Sequence, residues 1–327
     1  MRRREFIIAV GCGSLRPLSA FGQQSRLRVV GVLGFGSLAR TRELFAPTQS
    51  HLASMGFVED RNVMFEYRCA DGQEARLGAL AQELVQRPVD VIAVFTGQSI
   101  AAAKAATRSI PIVFFTGFDP VASGFVESLS RPGGNATGVS VLNTEVLTKR
   151  LAILREMLPA AQSVGFLYSA TSLVAGGDGI WKQLETTANG MKLELVPLGI
   201  RLPNEFGEAF DKARNAHLDA VLVSADAIMF ANREALVREA SRHNIAASYP
   251  TREFTMLGGL VSYGTDYPEA YRQVGEYVGR VLNGERPDRL PVQQVTKLQL
   301  AINLRSAEAL GLTIPSSLLA RTDEVFE

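Results

Sequence analysis

Two stretches, Val91-Ile92-Ala93-Val94-Phe95-Thr96-Gly97 and Ile112-Val113-Phe114-Phe115-Thr116-Gly117, decide how this chain folds. Each is a short apolar run that ends in Phe-Thr-Gly and leads toward a helix start, with Asp90 and Pro111 as punctuation in front. Continuous runs of this length, rich in β-branched and aromatic residues, read as strands buried on both faces, the habit of parallel sheets under helices. Ligands of open parallel sheets bind in the crevice beyond the carboxyl ends of the strands. A strand that ends in Thr-Gly at a helix N-terminus offers a hydroxyl, bare backbone N–H groups and the positive end of a helix dipole. Two such ends side by side predict a clamp for one small anion, most simply a carboxylate.

Outward from these strands the pattern repeats. Strands are expected at 28–33, 62–67 and 136–141, with helices at 41–55 and 74–86. A strong amphipathic helix at 145–158 ends at Pro159, and the alternation restarts. Strands at 163–168, 193–198, 220–224, 245–248 and 260–263 alternate with helices at 179–189, 205–216 and 232–243. A long helix over 268–282 stops at Asn283-Gly284, followed by a strand at 298–302 and a small helix from Ser306. The alternation is the signature of βαβ units. With 327 residues the chain exceeds what one core supports, so two α/β lobes with a ligand cleft between them are expected.

Composition excludes several classes. The first 22 residues hold Arg2, Arg3, Arg4 and Arg16 against Glu5, a surplus of +3, so the rest carries −2 although the whole chain carries +1. No basic excess remains to attract nucleic acid. Residues 1–22 read as an export signal, with Phe6-Ile7-Ile8-Ala9-Val10 after the arginines and Ala20-Phe21-Gly22 before a cleavage site. The string Arg3-Arg4-Glu5-Phe6-Ile7 resembles a twin-arginine signal, while Ala9-Val10-Gly11-Cys12 offers lipid anchoring at Cys12 as the other reading. Either way a periplasmic location is expected. No later apolar run approaches the ~20 residues of a membrane span. Cleavage leaves Cys69 as a single buried thiol.

Catalysis needs clustered groups, and the sequence offers none. His51, His217 and His243 all fall on expected helices without metal-ligand spacing, and no nucleophile elbow, Walker loop or zinc pattern occurs. No metal and no cofactor are expected. Gly34-Phe35-Gly36-Ser37-Leu38-Ala39 has the form of a dinucleotide fingerprint after the first strand. The acidic residue expected about 20 positions on, at the end of the second strand, has no counterpart: Glu59 and Asp60 come early and Glu66 late. A periplasmic NAD(P)-dependent oxidoreductase stands as the alternative that this loop keeps open.

The polar groups at expected strand ends suit a small ligand better. They are Gly36 and Ser37; Thr96, Gly97, Gln98 and Ser99; Thr116, Gly117, Phe118 and Asp119; and Ser140 near Asn143, where the chain crosses to the second half. In that half they are Tyr168, Ser169 and Ser172, Ser224 and Asp226, Tyr249, Tyr263 and Asp266. Helix capping explains any one Ser, Thr or Asp in such a place. Together with Phe35, Phe118 and the three tyrosines as stacking surface, the set points to a polar ligand with an apolar body. Asp226 is the candidate partner for a ligand ammonium group, opposite the carboxylate clamp.

The stretch from Ile110 to Ser140, with Asp119-Pro120-Val121, Gly124-Phe125-Val126-Glu127-Ser128-Leu129 and Arg131-Pro132-Gly133-Gly134-Asn135-Ala136-Thr137-Gly138, resembles ABC-transporter solute-binding proteins of the tryptophan/tyrosine-binding type. Gly258-Gly259-Leu260-Val261-Ser262-Tyr263-Gly264, the tail from Asn303 to Pro315 and the start Arg3-Arg4-Glu5-Phe6-Ile7 carry the same likeness. It implies a type I periplasmic-binding-protein fold: two Rossmann-like lobes with parallel sheets. It also implies a monomeric receptor without enzymatic activity, which closes over an aromatic amino acid or related acid and serves a permease and ATPase encoded elsewhere. An orphan receptor feeding a signalling partner is the other role open to such a fold. The expected organisation is a signal at 1–22, a first lobe at 23–142 completed by part of 266–296, and a second lobe at 143–265. The segment 266–327 is shared between the lobes. Carried over by position, the ligand carboxylate would meet the Thr96–Ser99 and Thr116–Gly117 loops near Ser140, with Asp226 at the matching strand end of the second lobe. Gln98 and Phe118 stand where relatives have smaller groups.

Overall fold

Alternate residues of each central strand face opposite ways, and that period of two builds two cores on one sheet. Val113 and Phe115 pack on one face with Phe45, Leu52, Tyr271 and Val278. Ile112 and Phe114 pack on the other with Leu77, Leu84, Ile100 and Ala103. The computed structural model describes residues 27–141, 143–170 and 178–327; the expected export segment and Ser172 lie outside them.

The first sheet contains β1 (Arg28–Gly34), β2 (Val63–Cys69), β3 (Val91–Val94), β4 (Ile112–Thr116) and β5 (Ala136–Ser140). Its strand order is β11-β5-β4-β3-β1-β2, where β11 is the short return Gln293–Gln294. Every pairing in it is parallel. Helices α1 (Leu38–Ser54), α2 (Leu77–Val85) and α3 (Gly97–Ala106) follow β1, β2 and β3. The second sheet has the order β13-β12-β10-β9-β8-β6-β7. Its strands are β6 (Ser163–Ser169), β7 (Glu194–Ile200), β8 (Ala220–Val223), β9 (Ala246–Tyr249), β10 (Val261–Thr265), β12 (Leu298–Asn303) and β13 (Glu324–Phe326). The expected parallel sense holds for the other pairings of this sheet, while β12 runs antiparallel to β10. It enters from the first sheet rather than through a crossover helix, so nothing forces the parallel sense.

Three segments cross between the sheets. The first leads from β5 into α4 (Asn143–Met157), the second from β10 into α10 (Tyr267–Leu282), and the third from β11 into β12. The long helix α10 therefore completes the first lobe although it follows the second sheet. Asp266 caps it, its Oδ1 accepting from Glu269 N at 3.0 Å, and Pro268 occupies the first turn. A Cβ on Gly275 would stand 2.7 Å from the Thr48 carbonyl oxygen, so glycine there sets how closely α10 lies on α1. The tail from β12 onward belongs to the second sheet.

Other boundaries also move. Helix α1 begins at Leu38, not Thr41, because Ser37 caps it and accepts from Arg40 N at 3.3 Å. His217 is off the helix, in a turn with φ +52°. The remaining helices of the second lobe are α5 (Asp178–Gly190), α6 (Phe206–Asn215), α7 (Ala227–Ala231), α8 (Arg233–Arg242), α9 (Arg252–Met256), α11 (Leu304–Ala309) and α12 (Ser316–Leu319). The sequence reading lacked α7, α9, α12, β11 and β13, all of five residues or fewer. No helix among the described residues is long and apolar enough to cross a membrane.

Candidate functional site between two carboxyl edges

The strand order of the first sheet places β5, β4, β3 and β1 next to one another, so their carboxyl ends form one edge. Thr116 pairs in register with Ser140. Thr96 caps α3: its Oγ1 accepts from Ser99 N at 3.3 Å and donates to Ser99 Oγ at 2.9 Å. Thr116 is buried and its Oγ1 accepts from Phe118 N at 3.1 Å, which turns the chain sharply at Gly117. The Ser140 hydroxyl is buried and has no hydrogen-bond partner among the described residues. A buried polar group without a partner calls for an unseen water or ligand. Gly97, Gln98 and Phe118 also line a cavity of about 600 Å³, but it lies on the outer flank of α2 and α3, among Leu77, Gly78 and Ala101, and Thr96, Thr116 and Ser140 do not line it. Asp119 is exposed and closes a turn, its Oδ1 accepting from Val121 N at 2.8 Å and Ala122 N at 3.1 Å.

The second edge is built from β9, β8 and β6, also adjacent. Its centre is Asp226, only 4% exposed. Asp226 stands at the N-cap position of α7 yet its side chain does not cap. Its Oδ2 instead accepts from Ser169 N at 2.8 Å and from Ser224 Oγ at 2.5 Å, tying the ends of β6 and β8 together. A carboxylate so buried needs such partners, and its Oδ1 makes no further hydrogen bond among the described residues.

The three tyrosines part from this edge. Tyr249 is 1% exposed and stacks on Phe254 at 5.2 Å inside the second lobe, where burial pushes its phenol above the ordinary range. Tyr168 is half-buried, stacked on Phe166 at 5.4 Å on the face that carries Trp181. Burial raises the Tyr263 phenol, and the nearby Asp323 carboxylate adds to the shift. That neighbour sits on the tail beside β12, so Tyr263 serves the packing of the tail. Alternation sorts them: Tyr168 and Tyr263 pack against the core on one face of the sheet, and Tyr249 is buried in the core on the other.

Sequence reasoning missed Tyr267. Its ring meets Phe115 of the first sheet at 5.5 Å and Phe230 of α7 at 5.2 Å, so one side chain touches both lobes at a crossing. Phe115 directly precedes Thr116, and Phe230 lies four residues after Asp226. The signal was the aromatic at the start of a long helix that follows a strand, but the pattern alone does not tell which lobe such a helix joins.

The glycine loop after β1 is closed by its neighbour. Gly72 N donates to Phe35 O at 2.8 Å and Asp71 N to Gly36 O at 3.2 Å, so residues 70–72 lie over it. The Asp71 carboxylate goes to Arg76 Nη1 at 2.8 Å. Ser37 is an exposed cap. These hydrogen bonds engage the carbonyls of Phe35 and Gly36 and tie the loop to the turn after β2. The histidines also find partners that spacing did not show: His51 Nε2 lies 3.1 Å from Glu276, and His243 Nε2 lies 3.0 Å from Asp211. Both pairs join helices. Among the described residues no three His, Cys, Asp or Glu side chains group as metal ligands.

Comparison with known proteins agrees with this architecture. A tyrosine-binding protein of Clostridioides difficile is 26% identical over 261 residues, 80% of this chain and 74% of that protein. An ABC domain from Streptococcus pneumoniae, solved in complex with L-Trp, superposes with a TM-score of 0.80 at 23% identity, covering 91% of this chain and 99% of that one. A conserved domain protein from Vibrio cholerae gives 0.81 at 26% identity, covering 92% and 100%. These likenesses establish the two-lobed periplasmic-binding-protein fold. The profile described as ABC transporter substrate binding protein matches residues 39–326, and with nearly the whole chain inside it, this protein belongs to the family of ABC transporter substrate-binding proteins.

Proposed function

We propose that this chain is an exported receptor that captures an amino acid, aromatic in its side chain, and presents it to the permease and ATPase of an importer. The observation that carries the reading is the pair of facing chemistries. One carboxyl edge carries the Ser140 hydroxyl, without a partner among the described residues, and the Ser99 and Thr116 hydroxyls, each of which accepts one hydrogen bond and keeps its own proton to donate. The other offers the Asp226 carboxylate. A zwitterion needs both signs of partner within one small space. The carboxylate belongs at the first edge, the ammonium group faces Asp226, and the apolar body meets Phe115, Tyr267 and Phe230.

The names of two relatives support the class of ligand: one is called tyrosine-binding and one was solved with L-Trp. Closure of two lobes about their crossings would bury the ligand and create the shape that a permease reads. The protein would work in the periplasm as a monomer, without cofactor, metal or chemical turnover.

A thermal-shift panel on residues 23–327, stripped of carried-over ligand by unfolding and refolding, tests this. The panel holds amino acids, aromatic carboxylates, sugars and NAD(P). Ligand at one hundred times its Kd stabilises by about 2.7 kcal/mol, roughly 5 °C for a chain of this size. A shift with L-tyrosine or L-tryptophan is expected. A shift with NAD(P) alone would contradict the receptor.

A further inference from the structure

Arg150 heads the largest fully buried side chains among the described residues, with 1% of its surface exposed. It sits in the apolar stripe of α4, between Leu147, Leu151 and Leu154, the face that packs on the second sheet. Both of its hydrogen bonds go to one residue of β9: Nε donates to Ser248 Oγ at 3.3 Å and Nη2 to Ser248 O. A guanidinium has five donors, and Nη1 makes no hydrogen bond to the described residues. Nor does any carboxylate among them pair with Arg150, although the other ion pairs of the protein are numerous and half-exposed. A buried cation without an anion is costly. Burial accordingly pulls the guanidinium down to about 9, opposed by Tyr267 alone. It stays charged at neutral pH.

Long helical side chains lean toward the helix N-terminus. The N-terminus of α4 is where the chain arrives from β5, so Arg150 leans toward the carboxyl edges. The one ionisable group that acts on it, Tyr267, is the ring held between Phe115 and Phe230. The clamp at Thr96, Thr116 and Ser140 is made of neutral groups. The nearest cation on its own lobe, Arg40, acts on Tyr271 beside Phe115 and is already ion-paired with Glu43 at 2.8 Å.

We infer that Arg150 is the positive charge through which the receptor selects a ligand bearing a carboxylate, acting from the second lobe behind Tyr267. The inference rests on the amino-acid reading above. It places the attraction for the carboxylate on the lobe opposite the hydroxyl clamp, so an anionic ligand draws the lobes together and a neutral analogue does not. Ser248 fixes the guanidinium; Arg150 is a positioning charge, not a direct contact. At separations of several ångströms in a partly dry site, one unit charge changes affinity by roughly 10- to 100-fold.

The test is calorimetric titration of the wild type, Arg150→Gln and Arg150→Lys with L-tyrosine and with L-tyrosinamide, which keeps the ring and ammonium group and lacks the carboxylate. The wild type is expected to prefer the acid by at least about tenfold. Arg150→Gln should lose that preference while its affinity for the amide stays within about twofold, and Arg150→Lys should keep most of it. Arg150→Met, which preserves apolar packing, replaces the glutamine variant if that one does not fold. Equal weakening toward acid and amide would mean that Arg150 only packs, and a preference left intact would overturn the inference equally. A folded wild type that binds neither compound contradicts the amino-acid reading itself, and the inference falls with it.

Discussion

Asp226→Ala is expected to weaken amino-acid binding by about 30-fold or more and to destabilise the second lobe as well. The two losses have separate causes. Removing one member of a desolvated charge pair across an interface costs about 2–5 kcal/mol of affinity, here the ammonium group left facing an empty site. In the free protein the same change leaves Ser169 N and Ser224 Oγ without the Oδ2 they now donate to. A buried donor left unpaired costs about 1–3 kcal/mol. Asp226→Asn separates the effects, since its carbonyl oxygen still accepts both hydrogen bonds while the charge is gone. The asparagine variant should keep most of the stability and lose most of the affinity. Amino-acid affinity unchanged in both variants would remove Asp226 from the site and leave it as a tie between β6 and β8.

Phe45→Ala is expected to lower the stability of the first lobe by about 3–5 kcal/mol, the usual range for deleting a buried aromatic ring. Phe45 is fully buried and makes edge-on contacts with Phe65 at 5.1 Å, Tyr67 at 6.0 Å and Phe95 at 6.0 Å. Phe95 continues to Tyr271 at 5.2 Å, Tyr271 to Phe115 at 5.0 Å and Phe115 to Tyr267. The first lobe thus carries an aromatic spine that ends at the crossing. Urea denaturation followed by tryptophan-independent circular dichroism should show the loss in the midpoint. Affinity at 10 °C, where the variant is still folded, should change by less than about threefold, because the Phe95 ring stands between Phe45 and the edge. A midpoint unchanged from the wild type would mean that the ring is not the packing centre described.

The contrast between these two residues shows what could be read in advance. Phe45 lies in a stretch that reads as an amphipathic helix, and burial of its apolar face follows from period alone. The strand ends at Thr96, Thr116 and Asp226 were legible for the same reason: polar residues after apolar runs mark where a parallel sheet stops. Which of them are caps was not legible. Thr96 and Ser37 do cap, whereas Asp226 turns its carboxylate sideways to the neighbouring strand, a choice made by a contact 57 residues away in sequence. The three tyrosines carried the same ambiguity. A tyrosine at the end of a strand reads as a cleft aromatic, but Tyr249 belongs to the buried side of its sheet, and only strand pairing decides the side. Tyr267 and Arg150 escaped because each looks ordinary locally. Arg150 gave one hint, a charge three residues after Leu147 and four before Leu154, on the stripe that must be buried. Short elements such as α7, which follows Asp226, are too brief for periodicity to register.

The most direct test of the account is the crystal structure of residues 23–327 grown with L-tyrosine. The account predicts one ligand molecule between the two edges, its carboxylate against the Thr96–Ser99 and Thr116–Gly117 turns and Ser140, and its ammonium group on Asp226 Oδ1. Ligand found elsewhere, whether against the flank of α2 beside Leu77 or over the loop at Gly34–Ser37, would contradict it.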